Sequence, residues 1–361
     1  MDYGILAINP GSTSTKIAFY KNQDMIWTQS IEHTQEQLAG FANIFDQFEL
    51  RRDLVLSVME EQGTKLSELS AVVGRGGLLP PVKSGAYLVN DVMIDTLRYR
   101  PVNEHASNLG AKLADAIAKP LNIPAYIYDP VTVDEMEPIA KITGLKEMKR
   151  IGQGHNLNMR AAAIKFAENS VKPYNELNLI VAHLGGGITL SLHAGGRMID
   201  MISDDEGPFS PERAGGLPGF QLIKMATSGE YDYRSMMKKV QRQGGLTAHF
   251  GTSDMRVVEE KAKSGDAQAE LVLEAMAYNV AKNIGKLAVV VSGQVDAIIL
   301  TGGIAKSKLF TGWIETRVKF IAPVTVLAGE NEMESLSQGA LRVLKGEEKA
   351  RIFELDGEEN G

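Results

Sequence analysis

The sequence contains no cysteine and no long apolar run. Without cysteine there are no disulfides, no thiolate nucleophile and no thiolate metal site, which fits a reducing compartment such as the cytoplasm. No apolar run approaches the ~20 residues that a membrane-spanning helix needs, and no basic segment precedes an apolar stretch at the N-terminus. We therefore expect a cytoplasmic protein without a membrane span or a signal peptide.

An excess of positive charge is also missing. The net charge is −7, and the 38 lysines and arginines are scattered along the chain, whereas a nucleic-acid surface concentrates them on one face. We therefore expect no nucleic-acid partner. The length of 361 residues, with 44% hydrophobic and 23% charged residues, is typical of a globular protein with room for two hydrophobic cores.

A pattern that occurs twice is the most informative feature present. An apolar run, a short glycine-containing turn and a second strand-like run occupy residues 5–20, and the same order recurs at residues 179–192. Glycine lets backbone N–H groups approach anionic oxygens closely. Both turns lead into strands, whereas the P-loop and the Rossmann motif lead into helices. The two turns therefore predict two half-sites for one phosphate chain.

Strand-like and helix-like segments alternate through the rest of the chain, which is typical of an α/β fold with mixed sheets. Buried strands are predicted at 70–74, 124–128, 297–301 and 323–327, and helices at 39–61, 106–118, 156–169, 219–225, 267–291 and 333–344. We expect two duplicated lobes with a cleft between them. Lobe I is predicted to comprise residues 1–150 and 332–361, and lobe II residues 151–331.

Polar residues at the predicted turns are candidates for phosphoryl transfer, because that chemistry needs cations around the moving group and a metal site. Arg75 and Arg213 each lie beside glycines in a turn. His155 and His183 also lie in glycine-containing turns, where each could donate a hydrogen bond to phosphoryl oxygens or simply pack. Asp129 directly follows a predicted strand and is a candidate for binding Mg²⁺ or positioning a substrate.

Four segments resemble motifs of the acetokinase family. Residues 8–16 and 182–190 are similar to its first and second signatures, and residues 253–256 and 301–304 extend the resemblance over nearly the whole chain. The resemblance implies the actin-like, ribonuclease H-like fold of the acetate and sugar kinase, Hsp70 and actin superfamily, with ATP in the interlobe cleft. It also implies ATP and Mg²⁺ as cofactors and a homo-oligomer, a dimer by analogy.

Two further segments, 129–136 and 155–158, look most like the butyrate-kinase branch of that family. The resemblance implies a phosphotransferase whose partners are a short-chain carboxylate and its acyl phosphate: butanoate and ATP give butanoyl phosphate and ADP by direct in-line transfer. A branched-chain (isobutyrate) kinase, a sugar kinase and an actin- or Hsp70-like nucleotide-driven switch stay open as alternatives. A switch would not need the two arginines and His155. A sugar kinase would need an aspartate to deprotonate a hydroxyl, which keeps Asp129 relevant.

The same resemblance assigns roles to individual residues. Arg75, His155 and Arg213 would stabilise the transferring phosphoryl group, and Asp129 would orient the metal or the nucleophile. The residues expected to bind the nucleotide are Ser12, Ser14, Lys16, His183, Gly185, Gly186, Gly187, Asp254, Met255, Arg256, Gly302, Gly303 and Ile304, with the last segment extending to Lys306. Acetate kinases carry an asparagine where this chain has Gly186, so backbone would supply one nucleotide hydrogen bond.

The resemblance also implies a metal site near the first hairpin. Asn9 would lie near Mg²⁺, and the glutamate that the family places near its C-terminus corresponds best to Glu332. The local correspondence is loose, so Glu330 and Glu334 are alternatives for the same role. The choice among these three glutamates is left open by the sequence.

Two glycines predict an enlarged acyl pocket. Acetate kinases place apolar side chains two residues after the first arginine and directly before the catalytic histidine, and the equivalent positions here are Gly77 and Gly154. Removing both side chains would make room for an acid longer than acetate. One methylene discriminates by only ~1–3 kcal/mol in a hydrophobic pocket, so we expect a preference for butyrate or a branched acid with overlap among short acids.

Overall fold

The computed structural model describes residues 2–329 and 332–355. The chain forms two compact units, one made of Met1–Asp134 and Asn331–Gly361 and the other of Glu135–Glu330. Residues 135–150, which were expected in lobe I, pack within the second unit. Their hydrogen bonds explain this, because Glu137 N–H donates to the Ile199 carbonyl at 2.9 Å and Arg150 Nη1 binds Asp200 Oδ1 at 3.0 Å.

The described residues form two mixed sheets, as predicted. Their strands are β1 (Gly4–Pro10), β2 (Ser14–Lys21), β3 (Asp24–Glu32), β4 (Ala71–Arg75), β5 (Ala86–Leu88), β6 (Ala125–Tyr128), β7 (Leu179–Leu184), β8 (Ile188–Ala194), β9 (Arg197–Ile202), β10 (Ala297–Gly302), β11 (Val324–Ala328) and β12 (Arg351–Ile352). The strand order is β12-β5-β6-β4-β1-β2-β3 in the first unit and β11-β10-β7-β8-β9 in the second.

The two sheets share one topology. In the first, β1, β2 and β3 form an antiparallel meander, and β4 and then β6 add in parallel beside β1. In the second, β7, β8 and β9 form the meander, and β10 and then β11 add in parallel beside β7. The shared order confirms the expected duplication. It also places both glycine-containing turns at the carboxyl end of the first strand of a sheet.

Helices connect and cover the strands of each sheet. The α-helices are α1 (Gln35–Leu38), α2 (Phe48–Glu61), α3 (Asp91–Tyr99), α4 (Leu109–Ala118), α5 (Asn156–Glu168), α6 (Gly219–Ala226), α7 (Tyr233–Gln241), α8 (Gly245–Phe250), α9 (Met255–Lys263), α10 (Ala267–Ala288), α11 (Lys308–Val318) and α12 (Glu332–Leu344). Short 3₁₀ turns lie at Ile44–Gln47, Leu66–Glu68, Ala106–Asn108, Lys119–Leu121, Pro138–Lys141, Tyr174–Glu176, Val289–Val291 and Ile304–Lys306.

The cores form where apolar strands meet apolar helix faces. In the second unit α10 buries Val272, Met276, Val280, Ile284 and Leu287, whose spacing of three to four residues marks one face of a helix, against β7 and β8. In the first unit α2 and α4 pack together, and α12 packs against β1 and β4. None of the described helices is both long and apolar enough to cross a bilayer.

One predicted helix is shorter than expected. The pattern at 39–61 predicted a single helix, but α2 begins only at Phe48, after a 3₁₀ turn. The Asn43 side chain accepts the Asp46 N–H at 3.1 Å, and the Asp46 carboxylate accepts the Asn43 N–H at 3.2 Å. This reciprocal cap ends the preceding irregular segment and starts a new element.

Candidate active site

The turn of the first hairpin has all of its carbonyls occupied. Arg51 Nη1 donates to the carbonyls of Gly11 and Ser14 at 2.9 and 3.2 Å, and Nη2 donates to that of Ser12 at 3.3 Å. The carbonyl of Thr13 accepts the backbone N–H of His33 at 2.8 Å. Within the described residues, the backbone N–H groups of Ser12 and Thr13 make no hydrogen bond, and both residues are exposed. The backbone of the turn therefore offers a ligand only N–H donors, and this donor-only form suits an anion.

The ladder beside this turn brings two predicted residues together. Asn9 on β1 and Lys16 on β2 are direct partners in the antiparallel register. Side chains of directly opposed residues lie on the same face of a sheet. The structure thus places the predicted Mg²⁺ residue and the predicted phosphate-binding lysine side by side at the mouth of the turn.

An acidic residue joins two predicted residues at this edge of the first sheet. Asn9 Nδ2 donates to Glu332 Oε2 at 2.5 Å, and Arg75 Nη1 forms an ion pair with Glu332 Oε1. Burial, with a smaller contribution from the charge of Glu334, raises the pKa of Tyr20 to about 12. Glu330 lies outside the described residues. Glu332 is therefore the glutamate with a hydrogen bond to Asn9 in the described part of the chain.

Asp129 follows β6, the next parallel strand, so Asn9, Arg75 and Asp129 occupy the carboxyl ends of three neighbouring strands, where ligands bind in α/β sheets. Asp129 is buried, and its carboxylate accepts the Gly85 N–H at 2.7 Å. Its φ of +39° is in the left-handed region that is uncommon for residues other than glycine. Such backbone strain clusters at functional positions.

The two glycines of the predicted acyl pocket have close neighbours. A Cβ at Gly77 would lie 2.7 Å from the Asn108 Cα and 2.7 Å from a methyl of Leu97. A Cβ at Gly154 would lie 3.2 Å from the Thr189 Cβ and 3.0 Å from the Met201 methyl. Packing within the first unit therefore requires glycine at 77 whatever the substrate. That either glycine lines an acyl pocket stays a prediction.

The two predicted histidines of the second unit stack on each other. The rings of His155 and His183 lie 3.9 Å apart with an interplanar angle of 10°. Thr189 Oγ1 lies 2.9 Å from His155 Nδ1 and also accepts the His155 N–H at 3.3 Å. The Asn158 amide lies 2.7 Å from His183 Nδ1. Ring stacking and hydrogen bonds together hold both imidazole rings in place. A histidine can therefore pack in this way and still have a functional role.

A buried polar row continues from this pair along β8. Thr189, Ser191 and His193 alternate and therefore face the same side of the strand. His193 is fully buried, with Ser191 Oγ 2.8 Å from Nε2 and the Tyr174 hydroxyl 2.7 Å from Nδ1. Burial, with a smaller contribution from Arg160, lowers the pKa of His193 to about 3. The ring is therefore neutral in the folded protein.

Because of His193, the free energy of unfolding is expected to decrease when the pH is lowered. The unfolded side chain takes up a proton near its ordinary pKa of 6.5, but the folded one does so only near 3. Since the unfolded state binds more protons in that window, stability decreases as the pH falls from 6.5 toward 3. Urea unfolding at several pH values should show a shallower slope for His193→Asn, by at most about 1.4 kcal/mol per pH unit. An unchanged slope, or the same change in the exposed control His249→Asn, would contradict this assignment.

Arg213 lies against the second glycine turn. A Cβ at Gly187 would lie 2.9 Å from the guanidinium carbon of Arg213, so glycine is what allows the close approach. Arg213 Nη1 forms an ion pair with Asp204, and Ser210 Oγ donates to the Gly186 carbonyl at 2.7 Å. Both predicted arginines are thus held by a carboxylate, one in each unit.

A cavity of about 440 Å³ opens in the second unit near the carboxyl ends of β7 and β10. This volume is in the usual range for small-molecule sites. The predicted nucleotide-binding residues that line it are Gly185, Gly186, Asp254, Met255, Arg256, Gly303, Ile304 and Lys306. Gly302 lies just behind it, with a φ of +92° and a Cβ position only 2.3 Å from the Leu184 carbonyl oxygen, so it needs to be glycine.

Two helices begin at this cavity. Asp254 caps α9 by accepting the Arg256 N–H at 3.0 Å, and Ser307 caps α11 by accepting the Phe310 N–H at 3.2 Å. The Arg256 guanidinium also binds the Asp254 carboxylate at 2.7 and 2.9 Å, which lowers the pKa of that carboxyl to about 2. A carboxylate that stays ionised suits ribose hydroxyls better than phosphate.

Several residues of these sites were not predicted. Asp204 comes shortly after β9, and Ser307 caps α11. Both kinds of position can be predicted from sequence patterns. Arg51 is fully buried on the face of α2 that also buries Val55 and Met59, and a charged residue at that apolar spacing was the available signal. The remaining unpredicted residues that line the cavity are Pro211, Ser253 and Glu259.

The comparisons of this sequence with known proteins agree on one family. A family model described as the acetokinase family matches residues 149–323. Butyrate kinase 1 and butyrate kinase 2 of Clostridium acetobutylicum are 46% and 45% identical to this chain, covering 97% and 98% of it and 99% and 100% of the relatives. The crystal structure of Porphyromonas gingivalis acetate kinase matches with a TM-score of 0.78 at 17% identity, covering 94% of this chain and 99% of that one. The last likeness confirms the predicted fold.

Proposed function

Since this chain belongs to the acetokinase family, we propose that it phosphorylates butyrate, converting butanoate and ATP to butanoyl phosphate and ADP. The observation that carries the proposal is the likeness to two butyrate kinases at 45% identity or more along nearly the whole chain. The donor-only turn and the two arginines supply what phosphoryl transfer demands, namely cations and N–H groups directed at anionic oxygens.

The nucleotide is proposed to bind at the cavity of the second unit. Its size suits a nucleoside, and Asp254 offers a permanent carboxylate for ribose hydroxyls. The phosphates would extend toward the glycine turn at 185–187, where Arg213 lies. Ser12, Ser14 and Lys16 of the first hairpin are proposed to bind the phosphate chain as well.

Mg²⁺ is proposed to bind beside Asn9 and Glu332. The described residues contain no group of three or more His, Asp or Glu side chains that could hold a metal alone. One carboxylate next to one amide, as here, fits a Mg²⁺ ion that keeps most of its ligands from phosphates and water. The ion would supply charge neutralisation for the phosphate oxygens when it is bound.

The reaction needs positioning and charge more than proton transfer. A carboxylate substrate is already ionised at neutral pH, so no general base is required to activate it. Arg75, Arg213 and His155 are proposed to stabilise the transferring group, and Asp129 to orient the metal or the nucleophile. In-line attack by a butyrate oxygen on the γ-phosphorus would break the bond to the ADP oxygen and release ADP.

Hydroxylamine trapping across a series of acids tests this proposal. With Mg-ATP and acetate, propionate, butyrate, isobutyrate or isovalerate, we expect acyl hydroxamate with the highest kcat/KM at four carbons. A higher kcat/KM for isobutyrate than for butyrate would favour a branched-chain kinase. No hydroxamate from any acid, despite ATP binding, would contradict the carboxylate-kinase function and favour a sugar kinase or a nucleotide-driven switch.

Assembly and location complete the proposal. By analogy with the family we propose a homodimer that acts in the cytoplasm. Neither property enters the chemistry above, because each residue given a role lies in this one chain. Sedimentation equilibrium would report the subunit number directly, and a single-chain mass would contradict the dimer.

A further inference from the structure

A buried arginine lies directly under the first hairpin turn. Arg51 on α2 has no exposed surface, although arginine is almost never fully buried without an ionic partner. Its Nε and Nη2 donate to Gln47 Oε1 at 3.0 and 2.8 Å, and Nη1 also donates to Thr15 Oγ1 at 2.9 Å. Its other acceptors are the turn carbonyls already described.

All of these acceptors are neutral. Within the described residues no carboxylate forms an ion pair with Arg51, in contrast to Arg75 and Arg213. Burial lowers the pKa of Arg51 to about 10, which still leaves the guanidinium charged at neutral pH. A buried charge without an opposite charge is unfavourable, so the fold keeps a positive charge for which the described part of the chain provides no complement.

The same side chain determines what the turn can bind. By occupying the carbonyls of Gly11, Ser12 and Ser14, Arg51 removes the acceptors that would repel an anion. The N–H groups of Ser12 and Thr13 then remain as donors on the exposed side. Because Arg51 is buried below the turn, it acts on a bound ligand indirectly. It holds the turn in shape, and its positive charge contributes an electric field.

We propose that Arg51 is a positioning residue for the phosphate chain of ATP, holding the first hairpin turn in its donor-only form and supplying the charge that bound phosphate complements. This inference rests on the proposed function, because it takes ATP as the ligand of the turn. A purely structural role would stabilise the hairpin without distinguishing a phosphorylated ligand from an unphosphorylated one. The two roles therefore differ in their effect on ATP and adenosine binding.

Isothermal titration of ATP and adenosine to the full-length protein tests the proposal. Arg51→Met is expected to weaken ATP binding about 10- to 100-fold, because the turn donors lose their support and the buried charge is removed, and to change adenosine binding less than about twofold. Arg51→Lys keeps the charge but not the fork of donors, so its loss should be intermediate. The control is Arg52→Met, which removes the same charge from the neighbouring residue, a side chain 32% exposed and paired with Asp53.

Two results would overturn the proposal: unchanged ATP affinity in a folded Arg51→Met protein, or equal losses for ATP and adenosine. If Arg51→Met does not fold, ATP and adenosine binding can be compared in Arg51→Lys and Gln47→Leu instead. Both variants keep a cation at position 51 but weaken the way in which it holds the turn. Failure of the proposed function looks different. In that case the wild-type protein would bind ATP and yet form no butanoyl phosphate. The affinities of the variants for ATP and adenosine could still be compared.

Discussion

Replacing Arg75 or Arg213 by alanine is expected to lower kcat for butanoyl phosphate formation about 10²- to 10³-fold, while the Kd for ATP changes less than about threefold. Both side chains are proposed to meet charge that develops on the transferring group, so their loss weakens the transition state more than the ground state. Initial rates of hydroxamate formation, combined with equilibrium ATP binding, separate the two effects.

Matched controls make this expectation specific. Arg197→Ala removes an arginine of the second unit that is 54% exposed and paired with Glu137. Arg52→Ala removes an arginine of the first unit that is 32% exposed and paired with Asp53. Both controls should keep kcat within about twofold, since a surface ion pair contributes about 0–1 kcal/mol to stability and nothing to the reaction. Near-normal turnover in both Arg75→Ala and Arg213→Ala would refute their assignment to the transferring group.

A single methyl group on the second turn is expected to have a comparable effect. In Gly187→Ala the new Cβ would lie 2.9 Å from two atoms of the Arg213 guanidinium, so the side chain must move aside. Displacement of a positioned group by about 1 Å costs on the order of 10² in rate, and we expect kcat to fall by about that factor. Steady-state kinetics at saturating ATP and butyrate would measure it.

The neighbouring glycine provides the comparison for that result. A Cβ at Gly186 would meet no atom within 4 Å, so Gly186→Ala should cost at least about ten times less in kcat than Gly187→Ala. Gly285→Ala, on α10, also meets no atom within 4 Å and is distant in sequence from every residue given a role, so it should have no measurable effect on kcat. Equal losses in Gly186→Ala and Gly187→Ala would show that the turn tolerates no side chain at all and that contact with Arg213 is not the reason.

The duplicated fold could be predicted because its pattern is local. The runs at 5–20 and 179–192 alternate between apolar strands and a glycine turn, and the structure forms β1–β2 and β7–β8 there. The short strands β5 and β12 were not predicted, since three and two residues carry too little pattern to be recognised. Helical structure starts later than predicted because the Asn43 side chain caps the 3₁₀ turn Ile44–Gln47, which precedes α2.

The candidate site was predictable where glycine marks a turn and not where distant segments meet. The sequence singled out Arg75, Asp129, His155 and Arg213 because they follow strands or lie in turns. The carboxylate partner of Arg75 comes from elsewhere in the chain, since Glu332 is 257 residues away in sequence. Such pairings depend on the tertiary fold, and spacing within one sequence carries no signal for them.

The glycine at position 77 does not leave an empty space beside it. Its comparison with acetate kinases predicted room for a longer acid, but the missing Cβ would overlap the backbone of Asn108. The glycine thus has a packing reason that the sequence did not reveal. Gly154, whose neighbours include the flexible end of Met201, remains the better candidate for a residue that shapes the acyl pocket.

In the proposed reaction a carboxylate oxygen attacks the γ-phosphorus of ATP. The most direct measurement is ³¹P NMR of the wild-type protein with Mg-ATP and butyrate labelled with ¹⁸O in both carboxylate oxygens. We predict ADP and a butanoyl phosphate resonance that carries the isotope shift of one ¹⁸O bound to phosphorus, because a butyrate oxygen becomes the bridging atom. Release of unlabelled inorganic phosphate without any acyl phosphate, or ATP that stays intact, would contradict this reaction.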